Sequence, residues 1–223
     1  MGILYIVATP IGNLEDLTFR ALRILKEADL ILCEDTRKTK ILLDYYEIKT
    51  PVLSYHQHSN ADKISHIIKM ISCGKNLALV SDAGTPGISD PGNLLIKEII
   101  LKLGEVKIFA IPGASAVAAC ASVSGFPMEK FLFLGFVPVK NKKNKFFKEI
   151  IKSEYPVIFY ESPFRIIRTL EALKALDEKI QVVAGRELTK KFETVYRGKI
   201  TEVIEKIKQD TVKGEFTVIV KSK

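Results

Sequence analysis

Short apolar runs alternate with helical patterns through the first half of the chain, and this alternation limits the fold more than any other feature. The runs are residues 4–8, 30–33, 52–55, 77–80 and 106–111. Between them, Leu17, Ala21, Ile24, Leu25 and Ala28 mark one helix face, 39–46 reads as helical, and 93–103 is another helix. Ile64, Ile67, Ile68 and Ile71 follow the i, i+3, i+4, i+7 spacing of a core-facing helix. Strand–helix alternation of this kind predicts a parallel sheet with helices on both faces. The second half differs. It has strand-like runs at 131–136, 157–160, 180–184, 192–196 and 216–220, with helical patterns at about 164–175 and 201–208. Ser162-Pro163 predicts a helix start. The short polar gap between 180–184 and 192–198 predicts antiparallel pairing. The expected architecture is α/β with two domains. Residues 1–113 form a parallel-sheet domain, residues 114–223 form a mixed-sheet domain, and a ligand cleft lies between them. Residues 140–148, with five lysines and two asparagines, come nearest to low complexity.

Residues 81–92 read Ser-Asp-Ala-Gly-Thr-Pro-Gly-Ile-Ser-Asp-Pro-Gly, directly after the fourth apolar run. In an open parallel sheet, ligands bind on loops at the carboxyl ends of strands. Gly84, Gly87 and Gly92 let the backbone approach a ligand closely, while Pro86 and Pro91 stiffen the segment. The loop is not a P-loop, since no Gly-Lys-Ser/Thr follows. The dinucleotide pattern Gly-x-Gly-x-x-Gly is also missing after the first run. The residues fit a ligand held by backbone and shape rather than by charged phosphates.

Of the 223 residues, 47% are hydrophobic and 27% charged, which excludes a disordered chain. The cysteines, Cys33, Cys73 and Cys120, are odd in number and widely spaced, so neither a disulfide framework nor a zinc site is expected. Cys33 and Cys120 lie in apolar runs and read as buried thiols. This usage suits a reducing cytoplasm, and the start shows no basic segment leading into an apolar one, so no leader is expected. Residues 108–127 carry no charge. Pro112-Gly113 breaks that stretch, which therefore reads as a strand, a turn and a small-residue helix rather than a membrane span. His56, His58 and Asn60 form a polar cluster without a third ligand at metal-binding spacing, so no metal is expected and substrate or dimer contact is the alternative. Charge is uneven. Residues 1–113 carry 13 Lys/Arg against 13 Asp/Glu and residues 114–223 carry 21 against 13, so the whole net charge of +8 lies in the second half. Such asymmetry fits either a polyanionic partner or a lysine-rich surface.

Six stretches stand at strand ends: Ala8-Thr9-Pro10-Ile11-Gly12-Asn13, Glu34-Asp35-Thr36-Arg37, residues 81–92, Ile111-Pro112-Gly113-Ala114-Ser115-Ala116, residues 159–165 and residues 184–190. In this order they resemble the tetrapyrrole methylase superfamily, and within it the branch that methylates a ribose 2′-hydroxyl of a cytidine in 16S ribosomal RNA. The resemblance implies S-adenosylmethionine in a cleft between two α/β domains, a homodimer, and the small ribosomal subunit as partner. It implies cofactor contacts at Gly84, Thr85, Pro86 and Ile88, and at Pro112, Gly113, Ser115 and Ala116, with Pro10, Tyr160 and Arg186 as further neighbours. Tetrapyrrole-methylating relatives usually carry Gly-Asp-Pro where this chain has Gly84-Thr85-Pro86. Longer members continue into a helical extension, whereas this sequence ends at Lys223. The expected grip on RNA therefore falls to residues 140–148, with Lys140, Lys142, Lys143 and Lys145 as candidates.

Ribose methylation needs the hydroxyl aligned and its proton removed. Candidate bases near strand ends are Glu34, Asp35, Glu161, Glu187 and Lys190. A lysine acts as a base only with a lowered pKa, and a charged Lys190 would orient substrate instead. Arg37 and Arg186 fit bidentate contacts to ribose-phosphate oxygens. For each charged group, a salt bridge between domains or subunits is the plainer alternative. Phe131, Phe133, Phe136, Phe159 and Tyr160 offer rings for base stacking, against core packing as the plainer role. Two other functions stay open at this point: methylation of a small tetrapyrrole, and RNA binding without catalysis.

Overall fold

The computed structural model describes residues 1–56, 59–90 and 92–222. His58 and Pro91 therefore lie outside the described residues. The chain divides into two compact units, Met1–Ser115 and Ala116–Lys223, two residues beyond the boundary suggested by the sequence.

In the first unit, strands β1 (Ile3–Val7), β2 (Leu30–Cys33), β3 (Val52–Ser54), β4 (Leu77–Leu79) and β5 (Lys107–Ile111) form one sheet in the order β3-β2-β4-β1-β5. Every pair is parallel, as the alternation predicts. Side chains alternate across the pleat. Val7, Ile31, Cys33, Ala78 and Val80 pack against α1 (Phe19–Glu27) and α2 (Thr36–Tyr45) on one face. Leu4, Ile6, Leu32, Leu77 and Leu79 pack against α3 (Ala61–Ser72) and α4 (Gly92–Leu103) on the other. Side-chain caps set the helix starts. Thr18 accepts from the Ala21 N–H, which leaves Leu17 outside α1, and Asp35 accepts from the Arg37 N–H, so α2 begins before the predicted residue 39.

The second unit holds α5 (Ala116–Ser122), β6 (Leu132–Phe136), α6 (Lys143–Lys152), β7 (Val157–Glu161), α7 (Ile166–Lys174), β8 (Gln181–Arg186), β9 (Thr194–Lys199), α8 (Ile200–Gln209) and β10 (Phe216–Lys221). Its sheet runs β6-β7-β10-β8-β9. β6 and β7 are parallel and the other pairs antiparallel, including the predicted β8–β9 pair. One face is covered by α6, α7 and α8, with Phe146, Ile150, Phe159, Leu170, Ile204 and Val218 in the core.

Two local segments differ from expectation. The lysine-rich segment carries a helix that its composition did not announce, since its second part is α6. Phe146, Phe147 and Ile150 sit on one helix face and are buried, each stabilising the fold by roughly 1.5–3 kcal/mol. Ser162-Pro163 does not begin a helix. Residues 162–165 make a turn whose Ser162 carbonyl accepts from the N–H groups of Arg165 and Ile166, and α7 starts only at Ile166. The charge-free stretch 108–127 resolves into β5, a turn and α5, and no described helix is long and apolar enough to cross a membrane.

Candidate functional site at the strand ends

In the first unit, three strand ends are stitched together. The Thr9 N–H donates to the Gly84 carbonyl (2.9 Å) and the Gly84 N–H donates back to Thr9 (3.0 Å). The Thr85 hydroxyl donates to the Ala114 carbonyl at 3.1 Å, and the Ala8 N–H donates to Ile111 at 3.1 Å. Pro10, Gly84, Thr85 and the turn from Pro112 to Ser115 are thereby brought to one place. Gly84 has φ +78, and a Cβ there would lie 3.3 Å from Ile11 Cγ2. A Cβ on Gly113 would lie 3.0 Å from the Ala8 methyl. Gly84 itself is buried, and the neighbouring Pro112 and Gly113 present exposed backbone. The far side of the loop is clasped by Asp90, whose carboxylate accepts from the N–H groups of Gly87 and Gly92, both at 2.7 Å. Asn93 closes it by donating to the Gly87 carbonyl. Pro86 is buried within this frame and Ile88 projects outward, 47% exposed.

An acidic rim borders the loop. Glu34 follows β2 and is half-buried, and among the described residues no hydrogen bond or ion pair engages its carboxylate. Burial pushes this carboxyl above its ordinary range. Asp82 and Asp90 add to the effect, while Lys38 opposes it. Asp35 contrasts with it. Arg37 grips its carboxylate through Nε (3.1 Å), Nη2 (2.8 Å) and its own N–H (2.9 Å), which holds the Asp35 carboxyl well below the usual range. Asp35 is thus a poor proton acceptor, and the exposed guanidinium of Arg37 keeps one face for another partner. Asp82 ties the rim to the loop, accepting from the Asp35 N–H and pairing with Lys38 at 2.6 Å.

In the second unit, Glu161 ends β7 with its side chain fully buried. One oxygen meets the Arg165 guanidinium and the Ser162 N–H, both at 2.7 Å, and the other accepts from the Thr169 hydroxyl at 2.7 Å. Both oxygens are occupied. The geometry suits an anchor rather than the base expected from sequence. Arg186, at the end of β8, is buried too. It pairs with Asp210 (3.2 Å) and donates to the carbonyls of Thr211 and Phe192, which leaves only its buried Nε without a partner among the described residues. Tyr196 donates to Asp210 at 2.5 Å, and burial pushes its phenol up to about 12. Lys190 bridges Glu187 (2.8 Å) and Glu215 (3.0 Å). Burial alone would lower its pKa, but the two carboxylates outweigh that and raise it. Of the two roles the sequence leaves open for Lys190, this geometry suits the charged one. Glu187, the partner of Lys190, is held below its ordinary range and has φ 51, with Thr189 at φ 67 in the same loop. Left-handed backbone at non-glycine residues marks positions held by their surroundings, often at functional sites.

Tyr160 is half-buried, with the rings of Phe133 and Phe136 each 5.1 Å away, and burial pushes its phenol up to about 12. Phe159 belongs to the core. Ala116 opens α5. Lys140, Lys142 and Lys145 are exposed and Lys143 half-buried, gathered where β6 leads into α6. Sequence reasoning missed Arg165 and Asp90. The i, i+4 spacing of Glu161 and Arg165 is the signal that would have shown the first. Asp90 is an Asx-type turn former two residues before a glycine. Among the described residues, no group of three His, Cys, Asp or Glu side chains is placed to hold a metal.

Residues 3–204 match the family model of Tetrapyrrole (Corrin/Porphyrin) Methylases. The chain is 43% identical to the ribosomal RNA small subunit methyltransferase I of Thermotoga maritima, over 100% of both chains. It is 45% identical to the protein of the same name in Bacillus subtilis, over 99% of this chain and 75% of that one. Among solved structures, a diphthine synthase superposes with a TM-score of 0.76 at 15% identity, covering 98% of this chain and 90% of that chain. A uroporphyrin-III C-methyl transferase from Thermus thermophilus, complexed with S-adenosylhomocysteine, gives 0.64 at 17% identity, over 98% and 97%.

Proposed function

We propose that this chain, which belongs to the tetrapyrrole methylase family and within it to the ribosomal RNA small subunit methyltransferase I group, methylates the ribose 2′-hydroxyl of a cytidine in the decoding region of 16S rRNA with S-adenosylmethionine as donor. The observation that carries this reading is full-length identity of 43% to a relative so named. The S-adenosylhomocysteine bound by a neighbour of the same fold supports the choice of donor.

The residues present fit such a cofactor. Exposed backbone at Pro112 and Gly113, with no charged side chain from Gly84 to Ser89 or from Ile111 to Ala116, suits a zwitterionic nucleoside without phosphates. Pro10, Gly84, Thr85, Pro86, Ile88, Pro112, Gly113 and Ser115 are the first unit's candidate contacts to it, and Ala116, Tyr160 and Arg186 are the second unit's. When bound, it supplies an electrophilic methyl on a positively charged sulfur. The chain's own task is to hold and deprotonate the ribose hydroxyl. Alignment accounts for roughly 7–11 kcal/mol of a barrier of this kind. Glu34 is the proton acceptor, because it alone among the candidate carboxylates combines partial burial with a carboxylate that no described residue hydrogen-bonds. Arg37 and Lys190 stay charged and hold phosphate or ribose oxygens. Lys140, Lys142, Lys143 and Lys145 grip the RNA backbone. The protein works in the cytoplasm as a homodimer without a metal. Exposed Leu94, Ile100 and Leu101 on α4 and Phe109 on the edge strand β5 support dimerisation.

The test is purified chain, 30S particles and methyl-labelled S-adenosylmethionine, followed by ribose-methylation mapping. One new 2′-O-methyl cytidine in 16S rRNA is expected. No transfer to rRNA, with transfer to a porphyrinoid precursor instead, would overturn the reading.

A further inference from the structure

Phe164 is 89% exposed at the tip of the 162–165 turn. A single exposed ring is ordinary on a protein surface, but this one stands on a turn whose hydrogen bonds hold it in place. The support is rigid. Pro163 fixes one torsion, the Ser162 carbonyl accepts two N–H groups at 3.0 and 3.1 Å, and the Arg165 Nε donates to the Ser162 hydroxyl at 3.2 Å. Arg165 is fastened from beneath by the fully buried Glu161. Its Nη1 also donates to the Val137 carbonyl at 3.1 Å. Val137 opens the connection that carries Lys140 and Lys142. One arginine thus joins the turn presenting an exposed ring to the segment presenting exposed cations.

We propose that Phe164 is a stacking platform for an unpaired base of the substrate RNA, and that Arg165 is the positioning residue that fixes it beside the phosphate-gripping lysines. This rests on the rRNA reading above. An exposed ring on a turn tied through Arg165 to the segment that carries Lys140 and Lys142 suits single-stranded nucleic acid, where bases stack on aromatic faces and phosphates meet cations. Paired bases in a duplex offer no free face for this ring. Phe19, 92% exposed on α1 of the other unit, serves as the control.

The experiment uses the full chain saturated with S-adenosylmethionine. The probe is an eight-nucleotide oligocytidylate carrying a fluorescent base analogue, followed by methylation kinetics on 30S particles. Phe164→Ala is expected to weaken probe binding and raise KM for 30S about 5- to 150-fold, to abolish the quench of the analogue, and to leave cofactor affinity and the salt slope of binding unchanged. Phe164→Tyr should restore the quench and Phe164→Leu should not, while Phe19→Ala should match wild type. Arg165→Lys, which keeps charge but loses the fork, should reduce the quench without changing the salt slope. If wild type methylates rRNA and Phe164→Ala does so with the same KM and quench, the stacking assignment falls alone. It also falls if Phe164→Ala instead converts a dimer to monomers, since the ring would then be a contact between chains. If wild type neither binds the probe nor methylates rRNA, the functional reading falls with it.

Discussion

Glu34 and Glu161 are the same residue type at the same kind of place, the carboxyl end of a strand leading to a helix, and their surroundings give them opposite work. Glu161 is fully buried with both oxygens engaged by Arg165, Thr169 and the Ser162 N–H. Glu34 is half-buried, no described residue hydrogen-bonds its carboxylate, and Asp82 and Asp90 outweigh Lys38 nearby. A buried carboxylate that is fully partnered holds structure, and removing it leaves its partners exposed to a large desolvation penalty. One left unpartnered is tolerated at a cost in stability, and such groups cluster where chemistry is done. The two units follow the same division. The first joins its strand ends through backbone and hydroxyl hydrogen bonds along a glycine-rich loop, while the second ties its strand ends with ion pairs buried on one side.

The comparison is broken or sharpened first at Glu34. Glu34→Gln is expected to slow methyl transfer to 30S rRNA by about 10²–10⁴-fold, with cofactor affinity unchanged. The wild-type rate should rise with pH along a limb lying above the ordinary carboxylate range, and the variant should lack that limb. Stability should move the other way. The folded state holds the Glu34 proton more tightly than the unfolded state, so its ionisation costs stability. That penalty is absent below the unfolded pKa and develops as pH rises through the folded one. Glu34→Gln should therefore be slightly more stable at neutral pH, by at most about 0.5 kcal/mol given its partial exposure, with the difference fading in acid. An unchanged rate would remove Glu34 as proton acceptor. At Glu161 the sign reverses. Glu161→Ala is expected to lose about 3 kcal/mol in urea denaturation, the lower end for breaking a buried pair, because Arg165 retains some contact with water. A loss under about 0.5 kcal/mol would mean that the network does not anchor the turn.

Much of the fold was legible, and what was not has a physical cause. Periodicity carried the first unit because a parallel sheet covered on both faces makes near-continuous apolar strands. The segment from Lys143 to Lys152 escaped because its apolar side is only three residues wide and lysines dominate the rest. Ser162-Pro163 resembles a helix start, yet Ser162 turns its hydroxyl to Arg165 and its carbonyl to the turn. The motifs pointed to strand-end loops, but the sequence showed nothing of what surrounds Glu34, Asp35 and Glu161. Their surroundings depend on which cation faces which carboxylate, and that is a property of the fold.

Gly84 tests the glycine-rich loop of the first unit. Gly84→Ala places a Cβ at φ +78 and 3.3 Å from Ile11, which should cost about 1–2 kcal/mol in urea denaturation. It should also weaken S-adenosylmethionine by at least about tenfold in calorimetry, since the added methyl would press on Ile11 and the Ala114 carbonyl of the proposed cofactor loop. Intact affinity would show that the ligand does not approach this glycine.

The smallest effect belongs to the exposed lysines of the second unit. Lys140 and Lys142 bear on no core residue, so the double change to glutamine should alter stability by less than about 0.5 kcal/mol. Its signature lies in how RNA binding depends on salt. Each phosphate contact on a single strand contributes roughly 0.7 to the slope of log affinity against log salt. The double variant should therefore flatten that slope by about 1.4, with a modest loss of affinity at physiological salt and no change in cofactor binding. A flattened slope would make the second unit both a tied scaffold and the RNA-gripping half. An unchanged slope would make its excess charge a solubility surface, and the division between the units would then rest on Glu34 and Glu161 alone.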